Sequence, residues 1–217
     1  MASPLRLRLQ AEDGMTLTEL AVVMGLLGVV LAALLGVLNS VEMGLARQDD
    51  RMQSNDQARL AASELDREIR SGNVFYDPAS ENDTAHGIYP GMSMRIYTQA
   101  NGNVRTPSSQ CVQWRIYNQQ LQRRSWATTW RDDPTNLVSG WRVIADHIMN
   151  QTVSPQVPAF TLDTSQASYG GRIAKIVILA NENPSSGRTV EIDESVTGRD
   201  TEYGYPNGVC SDIPPYP

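Results

Sequence analysis

The chain has 217 residues and a formal net charge of −6 at pH 7. That length suits one packed domain with an added anchor and is short for two domains. The acidic balance weakens attraction to nucleic-acid phosphates, and the two histidines, His86 and His147, have no metal-site or catalytic-triad spacing. No phosphate-binding loop, dinucleotide fingerprint or G-x-S-x-G motif is present, so the sequence predicts a non-enzymatic protein.

The longest apolar segment, Leu20–Leu38, has nineteen residues without a charged or polar side chain. As a helix it spans about 28 Å, close to the roughly 30 Å hydrocarbon core of a bilayer. A buried core helix would show a polar stripe. A cleaved secretory signal would have an apolar stretch of only about 7–15 residues that ends in a small-residue cleavage site. The segment is therefore predicted to be a retained membrane anchor.

A one-sided helical pattern continues beyond the anchor. The apolar positions recur three to four residues apart, at Ala58, Ala61 or Ala62, Leu65 and Ile69. This is the spacing of an amphipathic helix, and Gly72 is placed to supply the left-handed residue that often follows a helix end. No proline occurs between residues 5 and 77. We expect one helix from about Thr18 to Ser71.

After Gly72 the apolar pattern changes to the alternation that is typical of β-strands. Alternating segments include Met92–Ile96 and Val112–Tyr117, and Asn118-Gln119 is placed to turn the second of these back through Leu121–Trp126 as a hairpin. Later candidates are Trp141–Ile148 (strand or short helix), Ile173–Leu179 and, pairing beside it, Thr189–Val196. The order predicts an α+β fold in which a long N-terminal helix packs on a mainly antiparallel sheet.

Three features of the β-rich part are candidate sites. Cys111 and Cys210 are a candidate disulfide in an oxidising compartment and two free thiols in cytosol. Five acidic residues are candidate calcium ligands: Glu191, Asp193, Glu194, Asp200 and Glu202. A solvated acidic edge is the simpler interpretation of this group. Cations and aromatics mix between Arg123 and Arg131 in a way compatible with single-stranded nucleic acid, but the acidic chain makes DNA an unlikely partner.

The most specific motif is the junction Glu12–Leu20, EDGMTLTEL, directly before the apolar run. It resembles the leader junction of type IV pilins and pseudopilins: a short leader ending in glycine, a glutamate at the fifth mature position, then an unbroken apolar helix. The resemblance implies that prepilin peptidase cleaves between Gly14 and Met15. Met15 then becomes the mature N-terminus and a candidate for N-methylation.

Glu19 receives its role from the same resemblance. Because it lies only about 6 Å along the helix from the mature N-terminus, its side chain can also reach the membrane edge by itself. The resemblance instead implies that, in a filament core, the Glu19 carboxylate pairs with the free amine of Met15 on a neighbouring subunit. An unmatched charge is costly at low dielectric, so this pair would set the axial register of the subunits.

The resemblance also implies the organisation of the whole chain. The expected parts are a cleaved leader (1–14), a transmembrane or filament-core helix (15–40), an amphipathic helix (41–72) and an extracytoplasmic β-rich head (73–217). With Val112–Tyr117, Leu121–Arg124 and Ser195–Thr201, the head resembles the minor-subunit group related to the J pseudopilin and the W minor pilin. Export would place Cys111 and Cys210 where a disulfide forms.

The expected function is that of a non-catalytic minor pilin or pseudopilin, held in the cytoplasmic membrane with its N-terminus inside and its head outside before it enters a filament. Its partners would be prepilin peptidase, other subunits, and the assembly platform with its ATPase. The alternative is a stationary membrane-anchored adhesin or DNA receptor that uses a pilin-type leader for export.

Overall fold

A single helix, α1, runs from Leu17 to Ser71 in the computed structural model, which describes residues 14–100, 108–132, 138–163, 173–186, 188–198 and 208–215. The predicted helix from about Thr18 to Ser71 is therefore confirmed, with its start one residue earlier. By their internal contacts the residues divide into two units, Met1–Arg47 and Gln48–Pro217, and α1 contributes to both.

In the first unit, the apolar part of α1 is not buried by any residue that the structure describes. Every large apolar side chain from Leu20 to Leu38 is about half exposed or more, and Leu17 is 85% exposed. Among the described residues, α1 is the one helix long and apolar enough to cross a membrane. Burial of such surface is favourable by about 25 cal/mol per Å², so this surface requires an apolar environment.

In the second unit, α1 buries one face against the strands. Its buried residues are Ser54, Ala58, Ala61, Ala62, Leu65, Glu68 and Ile69. The predicted stripe is thus confirmed, and its small alanines allow the strands to approach the helix closely. The buried Ser54 is satisfied, because its hydroxyl donates to the Asp50 carbonyl and accepts from the Glu182 amide, both at 2.8 Å.

The strands of the second unit form two antiparallel sheets. In the first sheet the spatial order follows the chain: β1 (Gly72–Phe75), β2 (Ser93–Ala100), β3 (Ser108–Tyr117), β4 (Gln120–Ala127) and β5 (Arg142–Ala145). The second sheet contains β6 (Phe160–Asp163), β7 (Ile173–Ala180) and β8 (Val190–Thr197). The α+β prediction is confirmed, but the strands are divided between two sheets where one was expected.

The predicted hairpin at Asn118-Gln119 is confirmed. Tyr117 pairs with Gln120, which leaves a two-residue loop, and both loop residues have positive φ, 50° and 61°. Two positive φ values are what a tight hairpin turn of this type requires, and asparagine tolerates them better than most residues. The register places Val112 opposite Ser125 and Trp114 opposite Arg123.

The prediction for Gly72 is wrong. Gly72 is not among the glycines with positive φ, and β1 begins at this residue directly after α1. Its lack of a side chain serves packing instead: a Cβ there would lie 2.6 Å from Cε1 of Phe75 and 2.7 Å from Cγ2 of Ile96. The tight passage from helix to strand, rather than a left-handed turn, requires glycine at this position.

One apolar core joins the buried face of α1 to both sheets. Leu65 and Ile69 of α1 belong to the same cluster as Trp114 of the first sheet and Ile176 of the second, and all four are fully buried. An isolated bridge between Ile148 and Ala180 also links the segment after β5 to the end of β7.

Candidate functional site

The junction before α1 folds as a reciprocal helix cap. The Thr16 hydroxyl accepts from the Glu19 amide at 3.3 Å, and Oε2 of Glu19 accepts from the Thr16 amide at 3.2 Å and from the Thr16 hydroxyl at 3.1 Å. This is the capping box S/T-x-x-E, which satisfies two backbone N–H groups that the helix leaves unpaired. The spacing Thr16-x-x-Glu19 before an apolar run is a sequence signal for it.

The structure brings Gly14, Met15 and Glu19 together at one exposed helix start. Gly14 precedes the helix, it is exposed, and nothing lies within 4 Å of the position that a Cβ would occupy there. Met15 is 64% exposed. The peptide bond between Gly14 and Met15 is therefore accessible, and Glu19 lies at the N-terminal end of α1, where a negative charge is favourable to the helix dipole.

In the head, Cys111 and Cys210 form a disulfide with Cα atoms 5.7 Å apart. The bond attaches residues 208–215, here called the C-terminal strap, to strand β3. The strap also packs Val209 and Ile213 against a second apolar cluster that contains Tyr97 and Trp126.

Beneath the C-terminal strap lies a buried polar network. Arg95 donates to the Cys210 carbonyl at 2.7 Å and pairs with Glu81 at 2.7 Å. Gln113 donates to Glu81 at 3.2 Å and accepts from Arg124 at 2.7 Å. Because each charged group has a partner, burial of these side chains is tolerated.

The burial of this network is not what the alternation of polar and apolar residues along β3 and β4 predicts. The polar positions of β3 and β4 alternate with apolar ones and would ordinarily face water, yet Gln113 and Arg124 are 0% exposed. Arg124 also lies over the ring of Trp126, 5.1 Å from its centroid. The strap covers this second face of the sheet, and no local sequence signal identifies such a distant cover.

Tyr76 also contacts this network, through Cys210 and Arg95. Its hydroxyl accepts from the Cys210 amide at 3.0 Å, and the Arg95 guanidinium lies 4.0 Å from its ring centroid. Burial raises the pKa of Tyr76 and the Glu81 carboxylate raises it further, while Arg95 acts in the opposite direction. The hydroxyl therefore stays protonated.

The basic and aromatic segment considered for nucleic acid is used inside the head. Arg123 pairs with Glu68 of α1 at 2.9 Å, and Arg124 and Trp126 are buried. Arg131 forms an ion pair with Asp212 of the C-terminal strap. These cations already have protein partners, so the segment does not form an open cationic groove for phosphates.

Of the acidic residues considered for calcium, the three that the structure describes do not converge. Along β8, Glu191 and Asp193 are exposed whereas Glu194, directly after Asp193, is half-buried, so the neighbouring carboxylates of Asp193 and Glu194 point to opposite faces of the strand. Asp193 pairs with Lys175 at 3.2 Å. Asp200 and Glu202 lie outside the described residues. Within the described ranges, no three potential metal ligands come together.

Glu194 faces α1 instead. Burial raises the pKa of its carboxyl group, the Asp66 carboxylate raises it further, and Arg70 lowers it. Arg70 donates to both carboxylate oxygens of Asp66 at 2.8 Å. Because Asp66 balances the charge of Arg70, Arg70 lowers the pKa of Glu194 only in part. The two histidines are likewise paired with carboxylates: His86 lies 2.9 Å from Asp83, and His147 lies 2.8 Å from Glu182.

Compared with known proteins, the chain matches no protein-family model and no curated protein sequence. The class that fold and junction define is an α+β protein whose long helix has an apolar, exposed N-terminal part and an amphipathic C-terminal part.

Proposed function

We propose that this chain is a non-catalytic minor pilin or pseudopilin subunit of a type IV pilus-like or type II secretion-like filament. The observation that carries the proposal is the helix start: an accessible Gly14–Met15 bond directly before a capped helix whose apolar surface has no partner. A chain with an ordinary apolar anchor needs neither the glycine nor an acidic residue in the first turn of the anchor.

Cleavage by prepilin peptidase between Gly14 and Met15 leaves the capping box intact. Thr16 and Glu19 both lie after the bond, and the Thr16 amide remains a peptide N–H when Met15 becomes the N-terminal residue. The new ammonium group of Met15 lies near the positive end of the helix dipole, where a cation is unfavourable. A nearby carboxylate offsets this cost whether or not Met15 is methylated, because an N-methyl amine remains protonated.

Glu19 supplies a carboxylate with spare capacity. The hydrogen bonds from Thr16 both reach Oε2, and an ionised carboxylate accepts about four hydrogen bonds through its two oxygens. The same Glu19 can therefore cap its own helix and accept from the Met15 ammonium of a neighbouring subunit. In an apolar filament core such a pair fixes register, because displacement leaves a charge unmatched.

The exposed apolar surface of α1 has two successive environments in this proposal. The bilayer covers it before assembly, with the N-terminus in the cytoplasm and the head outside, and the helices of other subunits cover it in the filament. The assembly platform and its ATPase would drive the transfer. The head contributes no cofactor and no catalytic step.

A stationary adhesin or DNA receptor with a pilin-type leader is the alternative. The cations of the basic segment that would favour DNA are paired within the protein, Arg123 with Glu68 and Arg131 with Asp212, so this segment gives no support to a DNA receptor.

The test combines mass and location. Intact-mass analysis of the membrane-extracted protein should give a chain that starts at Met15, with or without one added methyl group. Immunogold labelling should find the head on sheared filaments. A mature N-terminus after Ser40 would contradict the leader assignment, and protein that stays entirely with membranes would favour the stationary receptor.

A further inference from the structure

A polar groove lies in the second unit, where α1 meets the segment that enters β8. Arg51 and Asn55 of α1 line one side, and Arg188, Thr189, Val190 and Glu191 line the other. Its volume of about 440 Å³ falls within the roughly 300–1,000 Å³ of small-molecule sites. None of its lining residues belongs to the helix start or to the C-terminal strap.

The two guanidinium groups of this groove differ from most others in the unit. The arginines that form ion pairs with carboxylates are Arg67, Arg70, Arg95, Arg123 and Arg131. Within the described ranges, Arg51 and Arg188 form no ion pair and no hydrogen bond. Two like charges share this groove with the single carboxylate of Glu191, and a bound anion balances the positive charge that remains.

The lining chemistry defines which anion fits. Two guanidiniums, the Asn55 amide and the Thr189 hydroxyl are donors that match the oxygens of a phosphate, and arginine binds phosphate through paired hydrogen bonds. Glu191 brings one negative charge, so the two arginines leave the lining with a net charge of +1. That charge is balanced by a monoanion such as a phosphodiester, and Glu191 is available to accept from a hydroxyl or ammonium group on the ester.

We propose that the groove between Arg51 and Arg188 binds a phosphodiester monoanion. The phosphate lies between the two guanidiniums, and its polar ester group extends toward Glu191. Both a phospholipid headgroup and a free phosphodiester have this chemistry. The proposal does not depend on filament assembly, and its test does not use filaments.

The test uses the full chain in dodecyl maltoside micelles without lipid, titrated with glycerophosphoglycerol and followed by calorimetry. Arg51→Gln and Arg188→Gln should each weaken binding by about tenfold or more, because each removes charge-assisted hydrogen bonds to the phosphate. Arg59→Gln is the matched control, since Arg59 is an exposed arginine of α1 outside the groove. Binding should also weaken as salt is raised.

Competition then separates the two sources of the ligand. Displacement of glycerophosphoglycerol by phosphatidylglycerol added to the micelles, but not by uncharged diacylglycerol, assigns the groove to a lipid headgroup. Failure of the lipid to compete assigns it to a free phosphodiester. The proposal is overturned if the wild-type chain does not bind the probe, or if Arg59→Gln weakens binding as much as the groove variants do.

Discussion

Replacement of Glu19 by glutamine separates the cap that Glu19 forms with Thr16 from the pairing with Met15 of a neighbouring subunit that we propose. Glutamine keeps the S/T-x-x-E/Q capping pattern with Thr16, so α1 should still begin at Leu17. Glutamine carries no charge, however, and cannot balance the Met15 ammonium of a neighbouring subunit. Glu19→Ala removes both the cap and the charge.

The expected magnitudes differ accordingly. Loss of one partner from a buried ion pair costs about 3–5 kcal/mol, which corresponds to a hundredfold or greater loss per contact at about 1.4 kcal/mol for each factor of ten. Loss of one capping feature costs only about 0.3–1.5 kcal/mol. Glu19→Gln should therefore lose most of its filament incorporation with its helix content unchanged, and Glu19→Ala should add only a small further loss.

The assay is the ratio of protein in sheared filaments to protein in membranes, with cleavage after Gly14 verified by mass. Glu42→Gln is the matched control, because Glu42 is an exposed carboxylate of the same helix far from its first turn. Circular dichroism of the purified variants measures the cap separately from the charge. If Glu19→Gln enters filaments as well as Glu42→Gln does, the charge-pairing argument is refuted. If Glu19→Ala alone fails, the cap is what matters.

The local features of the fold were predictable from the sequence. The stripe from Ala58 to Ile69 follows the 3.6-residue period of a helix, and the alternation around Trp114 follows the two-residue period of a strand. Both periods follow from the directions in which successive side chains leave a helix or a strand, so they can be read from a short segment of sequence. The turn at Asn118-Gln119 is local in the same way, since the pairing of Tyr117 with Gln120 leaves a two-residue loop whose geometry requires both positive φ values.

The cover on the second face of the first sheet was not predictable in this way. Arg124 looks like a surface cation from its neighbours in sequence, yet it is fully buried because Gln113 and the distant C-terminal strap surround it. The strap reaches Cys111 from 99 positions along the chain. Contacts at that separation leave no periodic signal, so only the cysteine pair indicated that the two regions meet.

The sites also include one that the sequence predicts and one that it does not. Gly14, Met15 and Glu19 form one short motif, and their proximity follows from helix geometry alone. The groove between Arg51 and Arg188 has no counterpart in any motif, since its two walls come together only when β8 packs beside α1.

Two further predictions concern the head. Non-reducing peptide mapping of the exported protein should recover the Cys111–Cys210 crosslink. Alkylatable thiols at both positions would contradict this prediction. The crosslink should stabilise the head by at most about 4–5 kcal/mol, since it closes a loop of about a hundred residues. The second prediction is that Glu194→Gln raises the melting temperature of the full chain in detergent at pH 7 with no such gain at pH 4; the gain should be at most about 2 °C, because Glu194 is only half-buried and water screens its charge. The reason is that burial and a neighbouring carboxylate raise the pKa of Glu194 above its ordinary value of 4.5. The charged form therefore opposes folding above the raised pKa, and this penalty disappears as pH falls below 4.5. An equal gain at both pH values would show that the packing of glutamine, and not the charge of Glu194, is responsible.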